Sequence, residues 1–207
     1  MRRTVSILVM LAAAGLFASC TSVSAEVGRL SSEQIKEIAE TAEENGWVEQ
    51  ADALRDGQIE SVEYLAAYDR FAACLVARGY PAPETWTSPI DGFGLIIEVD
   101  AGGRSEDQKG QDVLACQDRY YGMVQGVYES TTPYDMDEGI RLATLECLRD
   151  RGYDVSGEED TPAEMAGPEP LTPDGSNSER WSATITCLQD AQFELFPEIP
   201  TAVVAYL

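Results

Sequence analysis

The heptapeptide Cys74-Leu-Val-Ala-Arg-Gly-Tyr80 returns as Cys147-Leu-Arg-Asp-Arg-Gly-Tyr153, with five of its seven positions identical. Each copy carries one of the four cysteines, 74, 116, 147 and 187, that punctuate the chain beyond residue 20. In an oxidising compartment an even set of cysteines is read as a disulfide framework, and such a framework limits the possible folds more than any helix pattern does. The spacings are 42 and 40 residues within successive pairs and 31 between them. This similarity favours Cys74–Cys116 and Cys147–Cys187; the two other pairings stay open at this stage. A closed loop of that size contributes about 4 kcal/mol in the loop-entropy account. Structural zinc wants closely spaced ligands such as C-x-x-C. No such pair occurs, which also removes the thioredoxin type of redox motif.

The start of the chain indicates the compartment. Arg2 and Arg3 precede a fourteen-residue apolar run, Val5 to Ala18. That is short for a membrane-spanning helix and right for the apolar region of a signal peptide. The run closes Leu16-Phe17-Ala18-Ser19-Cys20, and small residues just before a cysteine resemble the lipobox of bacterial lipoproteins. One position departs from that pattern: Phe17 stands where Leu is usual, with Leu16 one step early. The resemblance implies that residues 1–19 are a signal peptide, that the Cys20 thiol receives a diacylglycerol group, and that Cys20 becomes the first residue of the mature protein. Two or more acyl chains anchor a protein stably, at about 0.8 kcal/mol per buried methylene. Residues 20–30, small and polar, read as a flexible tether. The expected location is the outer face of the cell membrane, held by lipid.

Charge narrows the partners. The chain has 37 acidic and 14 basic side chains, a net −23; loss of Arg2 and Arg3 with the signal peptide makes this −25. Such a surface repels phosphates, so no nucleic-acid partner is expected. There is no histidine. Ser-His-Asp triads, Cys-His pairs and imidazole metal sites are therefore excluded. The two lysines, Lys36 and Lys109, stand in no S-x-x-K arrangement.

The pattern along the chain predicts an α+β protein, predominantly helical, in two similar disulfide-stapled helix–extended–helix halves. The first module covers residues 31–130 and the second 131–207. Ser31 with Gln34 makes a capping box for a helix closed at Asn45-Gly46. A short helix runs from Trp47 to Leu54. A longer one runs from about Ser61 to Arg78, with Val62, Leu65, Ala66, Phe71, Cys74 and Leu75 mainly on one side, and Gly79 stops it. Phe93 to Val99 is the best strand. Ser105 caps a helix running to about Tyr128. The second half repeats the scheme: a helix capped by Asp135 or Asp137, a stop at Gly152, a mobile polar loop over 156–177, and a helix from Asn177 or Ser178 bearing Cys187. The apolar end, 197–207, adds a strand or packs on the core. On this reading the repeated heptapeptide is a helix stop: Cys and Leu face inward, Gly makes the turn, and Tyr packs where the chain leaves. Arg78 and Arg151 favour a helix C-terminus or bind an anion.

Three groups of residues suggest chemistry. Asp52, Asp56, Gly57, Ile59 and Glu63 match positions 1, 5, 6, 8 and 12 of an EF-hand loop, whereas Leu54 and Arg55 break it at positions 3 and 4. Asp52, Asp56 and Glu63 are thus weak calcium candidates beside a plainer helix–turn–helix reading; no cofactor is expected. Paired carboxylates for glycan hydrolysis are available in so acidic a chain, and the sequence singles out no two of them. Trp47, Trp86, Trp181 and the tyrosines supply either a sugar-stacking patch or a core. Residues 54–80, LRDGQIESVEYLAAYDRFAACLVARGY, resemble segments of small exported lipoproteins of actinobacteria, which implies location and disulfides but no activity. The expected role is a non-catalytic, lipid-anchored binding or accessory module for an envelope protein or cell-wall partner; the alternative is an envelope glycan hydrolase.

Overall fold

Ser31 accepts the backbone N–H of Gln34, and the Gln34 side chain accepts the N–H of Ser31. This reciprocal cap starts α1, Ser32–Glu44, which buries Ile35, Ala39 and Ala42. It belongs to a computed structural model describing residues 29–168 and 178–200. The signal segment, Cys20, part of the polar loop and residues 201–207 lie outside the described residues. Those described are predominantly helical, with a small two-stranded sheet.

Next come α2, Val48–Leu54, and α3, Ser61–Ala77. The inward face of α3 differs from the sequence reading. Tyr64, Ala67, Phe71 and Leu75 are buried, while Val62 and Leu65 are 64% and 48% exposed. The polar hydroxyl of Tyr64 had disguised it as a surface position. Inside, it accepts from the Tyr121 hydroxyl at 2.7 Å and from the Leu95 N–H at 3.1 Å.

The strand expected at 93–99 is β2, Leu95–Glu98, paired antiparallel with β1, Glu84–Thr87, in register Trp86↔Ile96. Phe93 and Gly94 are not in it because the Asp91 carboxylate accepts both their N–H groups, at 2.9 and 2.7 Å. Asp91 thereby shapes the turn between the strands. Sequence reading missed β1, whose ETWT segment is mostly exposed. Leu95, Ile97 and Val99 lean on the first core.

The single helix expected from Ser105 to Tyr128 breaks at Tyr121 into α4, Glu106–Tyr120, and α5, Gly122–Thr131. Gln50, fully buried on α2, explains how the break is tolerated. Its amide N–H donates to the carbonyl of Asp118 at 2.7 Å, and its amide oxygen accepts from the N–H groups of Met123 and Val124. One side chain supplies partners that a continuous helix would have supplied itself.

The second half contains α6, Glu138–Asp150, capped by Asp137; α7, Pro162–Ala166; and α8, Glu179–Leu195, capped by Ser178. Over 156–168 the expected mobile loop is instead built structure. The Glu159 carboxylate accepts the N–H groups of Ser156 and Gly157, each at 2.8 Å. Arg141 donates to the carbonyl of Gly157 at 3.0 Å, and Pro162, Met165 and Ala166 of α7 are buried. The loop's polar composition hid this short helix. Beyond α8, Ile199 is buried.

Both expected disulfides are formed, Cys74–Cys116 tying α3 to α4 and Cys147–Cys187 tying α6 to α8, with Cα separations of 5.8 Å in each. The helix stops also match. Tyr80 donates its N–H to Leu75 and Gly79 to Val76; Tyr153 donates to Leu148 and Gly152 to Arg149. Gly79 and Gly152 each have φ of +86°, where a side chain is strained. The surroundings differ. Arg78 pairs with Asp112, one turn before Cys116, whereas Arg151 reaches Asp190, one turn after Cys187, at 3.8 Å.

Helices of one half pack little against those of the other. The β1–β2 turn joins them: Ile90 is fully buried among Ile140, Leu188 and Ala191 of α6 and α8. Asp135 and Asp137 donate their N–H groups to the carbonyls of Asp91 and Pro89, at 2.9 and 2.8 Å.

Candidate functional site

A groove of about 280 Å³ opens between α2 and α3, lined by Glu49, Asp52 and Ala53 on one side and Glu63, Ala66 and Arg70 on the other. Helical spacing puts each set on one face: three and four residues apart on α2, three and seven on α3. Ala53 and Ala66 are short and leave space between the helices. Asp52 pairs with Arg55 at 2.6 Å on the surface. The Glu63 carboxylate accepts the N–H of Glu60 at 2.9 Å, completing the cap of α3. One oxygen of Glu49 is buried and has no hydrogen-bond donor among the described residues. Arg70 is exposed and has no hydrogen bond or ion pair among them. Beside the groove, Val62 and Leu65 are exposed on α3, 64% and 48% accessible, and Val76, 50% accessible, lies about three turns further along.

The calcium candidates divide here. Asp52 and Glu63 share the groove, whereas Asp56 turns to its own loop and accepts the N–H of Gln58 at 3.0 Å. Among the described residues no three acidic or cysteine side chains are placed to hold one metal ion. The Asp56-Gly57 segment links α2 to α3.

A second cluster lies where the halves meet. Tyr128 stacks on Tyr64 with ring centroids 4.3 Å apart, and Phe93 meets Tyr128 and Tyr134 edge-on at 5.8 and 5.9 Å. Burial raises the pKa of Glu129 above its ordinary value. A hydrogen bond from Gln125 opposes that shift, and the nearby charge of Asp91 adds to it. Tyr64 is pushed up to about 12, chiefly by burial.

The arginines of the repeated heptapeptide are occupied. Asp112 accepts from Gln108, Tyr80 and Arg78, and these bonds hold its carboxyl below the usual range. Arg104 covers the first helix stop, donating to the carbonyls of Arg78 and Gly79 and lying 4.2 Å from the Tyr80 ring centre. Trp47, Trp86 and Trp181 fall before α2, on β1 and in α8, and no two of them stack. Sequence reading missed Glu49 and Arg70; their spacing on either side of the Asp56-Gly57 turn was the available signal. Comparison with protein-family models, curated proteins and solved structures finds no match to this chain.

Proposed function

We propose that this is a lipid-anchored, extracytoplasmic binding module of a bacterial cell envelope, non-catalytic, taking an envelope protein or cell-wall partner. The observation that carries the reading is the α2–α3 groove. It offers both signs of charge beside exposed apolar side chains; among the described residues one Glu49 oxygen has no donor and the Arg70 guanidinium no partner. Unspent charge next to apolar surface suits recognition. The anchor rests on the sequence around Cys20; the disulfides fit an exported chain. No helix among the described residues is long and apolar enough to cross a membrane.

The test is photo-crosslinking in cells, with the crosslinking residue at Val62 in one strain and at Leu142 of α6 in another. An envelope component captured from Val62 and not from Leu142 supports the reading. Equal labelling, or none, removes it. Intact mass of the same protein reports the acyl groups on Cys20.

One observation favours the alternative, an envelope glycan hydrolase. Glu129 is desolvated as a general acid must be, Asp91 is a neighbouring carboxylate, and Phe93, Tyr128 and Tyr134 supply ring faces. Against it, Asp91 is spent on its turn. Release of reducing ends from cell-wall glycan, lost in Glu129→Gln, is the result this alternative needs. We also infer that the halves arose by duplication of one stapled helix–extended–helix unit; the matched helix stops support it, and the different partners of Arg78 and Arg151 weigh against it.

A further inference from the structure

We propose that Asn45 is a hydrolytic modification site, converted to aspartate and isoaspartate through its bond to Gly46, at a rate set by the turn between α1 and α2. Of the two asparagines in the chain, 45 and 177, only Asn45 precedes a glycine. The chemistry needs no partner but water. The Gly46 nitrogen attacks the Cγ of the Asn45 side chain, a C–N bond forms, the Cγ–Nδ2 bond breaks and ammonia leaves. Water then opens the five-membered imide at one carbonyl or the other, giving aspartate or a backbone rerouted through the side chain. Glycine favours the first step, because it has no side chain to shield its nitrogen and its backbone turns freely. Asn45 and Gly46 are both exposed, and a Cβ at Gly46 would meet nothing within 4 Å. Nothing in this chemistry depends on what the α2–α3 groove takes.

The folded turn holds the reacting atoms apart. Asn45 ends α1 with ψ of −3°, which eclipses the Gly46 nitrogen with Asn45's own nitrogen and aims it away from the side chain. Gly46 has φ of +75°. Its N–H donates to the Glu43 carbonyl at 2.9 Å, and the Trp47 N–H donates to that of Ala42 at 2.8 Å, the two bonds of a Schellman helix stop. The Asn45 side-chain amide donates to the Thr41 carbonyl at 2.8 Å. The bonds of Gly46 and of the Asn45 amide must open before the imide can close, so the rate follows how often this turn opens. After conversion the turn does not close as before. The amide donor to Thr41 is gone. A new carboxylate stands at the end of a helix whose last turn carries Glu43 and Glu44 and no base, where negative charge opposes the helix dipole. Trp47 carries the effect onward: its N–H closes α1, and its carbonyl accepts from the N–H groups of Gln50 and Ala51 to start α2. Gln50 in turn holds the break at Tyr121. A slow covalent change at an exposed turn thereby reaches a buried bridge.

Peptide mapping by mass spectrometry tests this on the purified full chain, disulfides intact, held in mildly alkaline buffer beside the same chain unfolded in urea. Conversion of Asn45 is expected in both, about tenfold slower or more in the folded chain, the protection a closed turn gives. Ile35→Ala removes a buried anchor of α1 and leaves Asn45-Gly46 intact; it should speed conversion of the folded protein. Asn45→Gln, whose longer side chain closes a less favoured ring, should stop it. Asn45→Asp, which makes one of the two products directly, should melt below the parent and exchange the N–H groups of Gln50 and Ala51 faster. Equal rates in the folded and unfolded chains, or no conversion in the folded chain while the unfolded one converts, overturns the inference. An Asn45→Asp variant that melts and exchanges as the parent does overturns the link to α2.

Discussion

Among the described residues, twelve buried side chains stand in one cluster behind the first Cys-Leu-x-x-Arg-Gly-Tyr, while the second half divides nine between two clusters, six behind its own heptapeptide and Ile140, Leu188 and Ala191 around Ile90. The disulfides close loops of nearly equal length, 42 and 40 residues, so each should contribute about the same stabilisation in the loop-entropy account. The same contribution is then a small share of what holds the first half and a large share of what holds the second. The first half also has its aromatic stack, the Gln50 bridge and the Arg104 cover over its helix stop. The second relies on α6 against α8, on α7, and on Ile90 lent by the other half. Two copies of one local signal can therefore sit in very different energetic surroundings.

Removing the disulfides tests this most severely. Each double variant, Cys74→Ser with Cys116→Ser or Cys147→Ser with Cys187→Ser, is expected to lose about 4 kcal/mol. Hydrogen exchange should then show the second half unprotected in its own variant, and the first half still protected in its own. Simultaneous loss of both halves in either variant breaks the comparison.

Next in size are the two buried bridges. Gln50→Ala strands one carbonyl and two N–H groups in the first core and should cost about 3 kcal/mol. Ile90→Ala should cost a similar amount, about 3 kcal/mol, with a different signature. It loosens the join and is expected to split the melting transition in two by calorimetry, where Gln50→Ala lowers the one shared transition. A single cooperative transition in Ile90→Ala shows that the halves are coupled by more than this turn.

Much of this was legible in the sequence because it is local. Ser31, Ser105, Asp137 and Ser178 cap the helices they precede, and Gly79 and Gly152 end theirs, since caps and stops depend on a few neighbours. The cysteine pairing followed from spacing. What could not be read depends on residues far apart. The helix break at Tyr121 depends on Gln50, about seventy positions earlier. The inward turn of Tyr64 depends on Tyr121 and Leu95. Strand β1 exists only because β2 lies beside it, and α7 because Arg141, Arg180 and the second core hold its segment in place. The groove was half legible: Asp52 and Glu63 were noticed for calcium, while Glu49 and Arg70 matter only once α2 lies alongside α3.

The two glycines provide a finer test of the halves. At Gly152 an added methyl meets nothing within 4 Å, so Gly152→Ala should cost only the left-handed backbone penalty, about 1–2 kcal/mol. At Gly79 the methyl would lie 2.8 Å from an Arg104 guanidinium nitrogen. Gly79→Ala should therefore cost more, because Arg104 must also leave its two carbonyls. Equal losses in chemical denaturation would show that Arg104 gives way freely.

The smallest expected effect is a pH dependence confined to the first half. Burial raises the pKa of Glu129 in the folded state. Below the unfolded value both states are protonated and nothing is lost; as pH rises past it, the unfolded chain ionises first and stability falls until the folded value is passed. Glu129→Gln should accordingly raise the melting temperature at neutral pH and match the parent below the ordinary carboxylate range. A constant offset at every pH would assign the effect to packing instead of charge.

Ile90 at the tip of the hairpin turn matters for anyone who divides the molecule. Cut between 131 and 137, the first half keeps its core, its disulfide and its groove, and gains a bare isoleucine on a protruding loop that formerly sat in another hydrophobic core. Such a fragment is expected to fold and to self-associate through that tip, so its solution behaviour would report a surface the whole protein never shows to solvent. Replacing Ile90 by a charged residue in the fragment, and only there, should restore a monomer.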